Sequence, residues 1–336
     1  NLFKKLMNNQ IEKWVDEWAI EDVDNGYRKI NNHINFLSNV LFHDYQPTQA
    51  VAPDFFTRLE EWLNNAHTKD DKKTLFRLLP YLFYVGSKEF NSLYRVAYNE
   101  VIAKWILDVE NIEFTNLNAA KVTLDNALLR TWICPITDSM NINSFYHINS
   151  IPGEVDYRPQ WYNAGQTWNT ISGGLVNYMR ANGVNKLVLM EDFVGSGSQV
   201  EQTLEHAISL NLGIPILFVP LIICPDGATR FNRLQARHPE LTYSAVLDLS
   251  DSCFVFPAPR IGEDDHFPNV RELVTRVYNQ TSGGVAIDAG KPYTPFGYKR
   301  TGGLVVMHSN TPDNSLPVIH HESDTWAPIF KRHSRN

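Results

Sequence analysis

The sequence predicts an α/β chain: a mostly parallel sheet flanked by helices, preceded by an all-helical N-terminal region. Three observations lead there. Apolar residues recur with a helical period through roughly the first 120 residues. From Thr131 onward, short apolar runs end in Gly, Pro, Asp or Asn, as buried strands do. Helical patterns lie between several of these runs, and strands alternating with helices imply a parallel sheet covered on both faces. The expected division is a helical domain over residues 1–125 and an α/β domain over residues 126–336.

In the N-terminal region Ile11, Trp14, Val15 and Trp18 form one apolar stripe, and Tyr27, Ile30, Ile34, Leu37 and Leu41 form another. Pro53-Asp54 opens a third helix with Phe55, Phe56, Leu59, Trp62 and Leu63 inward. Ser87 caps a fourth, with Phe90, Tyr94, Ala97, Val101 and Trp105 on one face. Aromatic residues in such stripes are core and carry no chemistry. Strands are expected over Thr131–Ile136, Lys186–Met190, Ile214–Ile223, Ala245–Leu249 and Gly303–Met307. Helices are expected over Thr170–Ala181, Gln199–Ser209 and Asn269–Tyr278.

Composition narrows the function. The 336 residues, 43% of them hydrophobic, suffice for one large core or two modest ones. The longest apolar run, Ile214–Cys224, holds two prolines and is too short for a membrane span of about 20 residues. Leu2–Met7 contains two lysines, so no signal peptide is expected. Cys134, Cys224 and Cys253 form no CxxC pair and sit in apolar settings. Buried free thiols and a reducing, cytoplasmic location are the expectation. The net charge of −7 argues against broad nucleic-acid binding. A small phosphorylated ligand remains compatible, because local amides and a metal can hold it.

The informative stretch is Val188 to Gln199. An apolar run enters two acids, Glu191 and Asp192; Phe193, Val194, Gly195, Ser196, Gly197, Ser198 and Gln199 follow, and then a helix. Glycines let backbone approach a ligand and take positive φ. Loop amides and a helix N-terminus favour a phosphate. Adjacent carboxylates suit ribose hydroxyls or the waters of a magnesium ion. The C-terminal edge of a parallel sheet is where such ligands sit.

This segment resembles the phosphoribosyl-pyrophosphate (PRPP) motif of the phosphoribosyltransferases: a strand, two acids, two apolar residues, then a small and hydroxyl-rich loop. Gln199 falls where that pattern has its final hydroxyl residue, and Ser198 stands beside it to supply the contact. Cys134 to Ser139 ends the preceding strand where the family places its pyrophosphate loop, which implies Thr137, Asp138 and Ser139 for pyrophosphate. The run from Gly303 to Pro317, with Trp326 and Phe330 downstream, resembles phosphoribosyltransferase-like effectors of bacterial defence loci, some beside reverse transcriptases in retrons. In it Asn310, Thr311 and Asn314 would form an acceptor-side loop.

The resemblance implies a phosphoribosyltransferase-like fold, a phosphorylated ribose ligand, magnesium as cofactor and displacement at ribose C1. Glu191 and Asp192 would be catalytic, and Phe193 to Gln199 would bind the phosphoribosyl group. It also implies a protein partner such as a reverse transcriptase complex. A non-catalytic ligand sensor stays open beside the enzyme. So does a methyltransferase, because an acid followed by Phe and Gly-Ser-Gly resembles a methyl-donor loop, although the chain has no Pro-Pro dipeptide. A dinucleotide fold lacks its third glycine, where Val200 stands. A metal hydrolase built on His308, His320, His321 and Asp324 lacks ligand spacing. No protein-built metal cluster is expected. His147, His206, His238 and His266 read as surface or capping residues.

Overall fold

A computed structural model describes residues 2–47, 53–113, 115–152, 157–162, 168–282 and 293–333. The chain forms two compact units, one of residues 1–87 with 251–336, the other of residues 88–250. The first unit begins with helices α1 (Leu2–Glu21), α2 (Tyr27–Val40), α3 (Phe55–Asn64) and α4 (Lys69–Leu78) and strand β1 (Phe83–Val85). Capping fixes two of these starts: Asp54 accepts from the amides of Phe56 and Thr57, and Thr68 from that of Asp71.

The second unit opens with α5 (Ser87–Val96), which passes through a π-helical turn at Ala97–Ile102 into α6 (Ala103–Val109). Then come α7 (Leu117–Leu128), β2 (Thr131–Pro135), α8 (Ile142–Asn149), α9 (Trp168–Ala181) and β3 (Lys186–Val194). The unit finishes with α10 (Ser198–Ser209), β4 (Ile216–Ile223), α11 (Pro225–Arg237), β5 (Leu241–Tyr243) and β6 (Leu247–Asp248). The strands form one parallel sheet in the order β2-β3-β4-β5, with β6 joining β4 further along. Every residue of β2 and β4 is buried, the continuous apolar reading that a sheet covered on both faces requires. In register, Pro135 lies opposite Met190, and Glu191 opposite Pro220. Strands β3 and β4 end level, at Val194 and Ile223, while β2 ends four residues short of them, opposite Met190.

The chain then completes the first unit with α12 (Phe267–Arg276), α13 (Tyr278–Thr281), β7 (Tyr293–Thr294), β8 (Gly297–Tyr298), β9 (Val305–Met307) and α14 (Pro317–His320). Strand β9 pairs in parallel with β1, Phe83 opposite Val305. Trp18 meets the Phe76 ring edge-on at 5.5 Å, and Phe330 contacts Phe42 and Tyr84. One apolar core thus joins the N-terminal stripes to Val255, Leu304, Val306 and Ile319.

The fold class is the expected one: mixed α/β, with a mostly parallel sheet flanked by helices and a helical N-terminal region. Two expectations need correction. The units do not follow the linear division into residues 1–125 and 126–336, because the amphipathic N-terminal helices bury their stripes against residues beyond 250. The run Gly303–Met307 is not a strand of the main sheet; it makes a two-stranded ladder with β1. No helix among the described residues is long and apolar enough to cross a membrane.

Candidate functional site

Strand β3 continues four residues past the expected Met190, so Glu191 and Asp192 lie within it and not in the loop that follows. Both are buried, at 5% and 4% exposure. Their partners come from the turn after β2, delivered beside them by the parallel register. The amide of Thr137 donates to Glu191 Oε2 at 3.0 Å, and the Thr137 hydroxyl lies 2.6 Å from Glu191 Oε1. Ser139 Oγ lies 2.7 Å from Asp192 Oδ1 and 2.6 Å from the Thr137 hydroxyl. Asp192 Oδ1 also accepts from the amide of Phe193. Thr137 and Ser139, which the resemblance implied for pyrophosphate, are bonded to the acid pair. Asp138 between them is exposed.

Burial, and then the charge of Asp192, push Glu191 well above the ordinary carboxyl range. The Thr137 hydroxyl donates to Glu191 Oε1, and the Ser139 hydroxyl donates to Asp192 Oδ1. Tyr94 of α5, which the sequence placed in the core, is buried here; burial and the Asp192 charge raise its pKa.

The glycine loop lies between β3 and α10. Phe193 is half-buried and pairs with Ile222; Val194 is buried and accepts from the Cys224 amide. Ser196 Oγ and Ser198 Oγ are 3.4 Å apart, and Gln199 is exposed. Gly197 has φ +72°, the left-handed region that glycine adopts without strain. The first bond of the α10 ladder runs from the Glu201 amide to Gly197 O, so the amides of Ser198, Gln199 and Val200 precede it. A Cβ on Gly197 would lie 2.7 Å from the Phe231 ring, so this glycine makes room for α11 and not for a ligand.

Arg230 and Gly227 of α11 touch the loop and carried no local sequence signal. Arg230 Nε donates to Ser196 O at 2.8 Å, and its Nη1 bonds Glu201 in the first turn of α10. Asn310, Thr311 and Asn314 are in the first unit and bond within it: to the backbone of His333, to Phe330 O and to the Thr301 hydroxyl. Their side chains act as struts there. His320 and His321 are likewise bonded to Ser315 O and Thr281 O.

For magnesium the donor set is a hard-oxygen one: two carboxylates and two hydroxyls. Among the described residues no three His, Cys, Asp or Glu side chains gather to cage an ion. Such a set fits an ion that arrives with a ligand's phosphates and takes one or two carboxylates from the protein.

No curated protein matches the chain, and no solved structure does. The model of the PRTase-CE family matches residues 59–332, a stretch that includes β2, β3, the acid pair and the glycine loop and also most of the first unit. With four-fifths of its length matched, this chain belongs to the phosphoribosyltransferase-like PRTase-CE family.

Proposed function

We propose that the second unit binds PRPP or a related phosphoribosyl compound and supports displacement at ribose C1. The observation that carries this reading is the meeting of the turn Thr137–Ser139 with Glu191 and Asp192 at the C-terminal edge of adjacent parallel strands. Asp192 would hold ribose hydroxyls, and the amides from Ser196 to Val200 the 5-phosphate. Thr137, Asp138 and Ser139 would face the pyrophosphate. A nucleophile bonds to C1 as the C1–O bond breaks, and pyrophosphate leaves with the electron pair. Magnesium, held by Asp192 and ligand oxygens, would neutralise charge on that leaving group. The protein's contribution is positioning and electrostatic stabilisation.

Calorimetry with PRPP, ribose 5-phosphate and nucleoside monophosphates, with and without magnesium, tests it. Heat is expected for at least one of them. Silence from all at millimolar concentration, with folded protein, removes the reading. A sensor is favoured by one feature, the engagement of both Glu191 oxygens by the turn. Pyrophosphate release under turnover conditions separates enzyme from sensor. The sequence resemblance further suggests an effector in a retron-type defence system, working with a reverse transcriptase complex. Turnover that appears only after release from that complex is its signature.

A further inference from the structure

We infer that α11 is the positioning wall of the phosphate loop, with Arg230 and Gly227 turning the Ser196 and Gly197 amides toward a phosphate monoester. The inference rests on the phosphoribosyl reading above and deepens it.

Two consecutive peptide planes set the direction of these amides. A Cβ on Gly227 would lie 2.7 Å from Gly195 O, so α11 is seated directly against that carbonyl. One turn along α11, Arg230 Nε donates to the next carbonyl, Ser196 O, at 2.8 Å. Both carbonyls therefore point at α11. In a trans peptide the C=O and N–H of one plane point in opposite directions, and no cis peptide is present among the described residues. The Ser196 and Gly197 amides share those two planes, so they point away from α11. Their direction is a consequence of contacts on the far side of the loop.

The other Arg230 contacts fit a fixed strut. Its Nη1 bonds Glu201, and Glu201 also lies 3.6 Å from Arg237. One guanidinium thus ties the loop to the first turn of α10, where the helix ladder starts. Gly197 follows at φ +72°, with α11's Phe231 filling the space a side chain would need. A loop held by its carbonyls presents amides without reorganising when an anion arrives, and the pre-organisation raises affinity. A phosphate monoester offers several terminal oxygens to such amides, whereas an uncharged hydroxyl offers one weak acceptor.

The experiment compares ribose 5-phosphate with inorganic pyrophosphate, the latter a probe for the turn Thr137–Ser139. Arg230→Gln removes the charge and the fork. It should weaken ribose 5-phosphate at least tenfold and move pyrophosphate less than twofold. Arg230→Lys, which keeps one cationic donor, should recover part of the loss. An equal loss for both ligands would mean general damage and overturn the selective role, as would unchanged ribose 5-phosphate binding. If the parent binds neither ligand, the phosphoribosyl reading falls, and this inference with it. Should the variants not fold, amide exchange on the parent decides. The Ser196 and Gly197 amides should gain protection with ribose 5-phosphate and not with pyrophosphate; no change at either overturns the inference.

Discussion

Arg58 in the first unit and Glu191 in the second are both buried ionisable groups at 5% exposure, satisfied in different ways. Arg58 donates to three backbone carbonyls, those of Pro53, Ile329 and Phe42, and lies against the rings of Phe330 and Tyr45. Burial lowers its pKa only to about 10, so it stays charged at neutral pH. Glu191 depends on a half-exposed turn and is opposed by the like charge of Asp192. A buried charge answered by fixed backbone is a staple. A buried carboxyl beside a like charge, met only by a surface turn, is instead driven toward its neutral form. Polar burial alone does not mark function; the identity of the partners does.

The largest loss is expected at Arg58. Arg58→Met should cost about 3 kcal/mol or more, because three buried carbonyls lose their donor. Ligand heat per folded molecule should stay at the parent value; loss of binding without loss of stability would show that Arg58 is not merely a staple. Gly197→Val comes next. Positive φ and the Phe231 contact predict a loss of roughly 2–5 kcal/mol in a denaturant melt.

Trp14→Ala should cost only about 1–2 kcal/mol. Trp14 is half-buried, stacked on Trp18 with the Lys72 ammonium 4.2 Å from its ring centre. Trp18, at 1% exposure, is the residue expected to cost about 3–5 kcal/mol on truncation to Ala. Thermal melts of the two variants should rank them in that order.

The smallest effect is expected at Glu191. With its folded pKa raised, Glu191 keeps a proton that the unfolded chain releases. Its contribution is fully present below the ordinary carboxyl pKa and is lost as pH rises through the folded value. Stability should therefore fall from mildly acidic toward alkaline pH. Glu191→Gln should flatten that slope and melt a few degrees higher than the parent at pH 9. A parent profile that rises over this range would assign the proton elsewhere.

Much of the second unit was legible in the sequence because its signals are local. The runs at Thr131, Lys186 and Ile216 are strands, and the acid pair with its glycine loop stands where a strand meets a helix. What stayed hidden depends on distance. Strand β1 is three residues long and pairs with residues more than 200 positions away, so no local pattern marks it. Arg230 lies 34 positions from the carbonyl it holds, on a helix whose own pattern speaks only of packing. The expected strand stopped at Met190, ahead of the acids, because charge normally ends a buried strand. Here the hydroxyls of Thr137 and Ser139 make their burial tolerable.

The discontinuous first unit has a consequence for synthesis. The ribosome delivers residues 88–250 as one uninterrupted stretch, and every strand of their sheet is available once residue 250 has emerged. The N-terminal helices, made earlier, must wait for Val305–Met307 and Phe330 before β1 and their apolar stripes are covered. At about 5–20 residues per second that wait lasts many seconds, with Trp18, Phe42 and Trp62 lacking their final neighbours. Helices made before the second unit are thus sealed after it, and nascent chains are most exposed to chaperones and proteases during that interval.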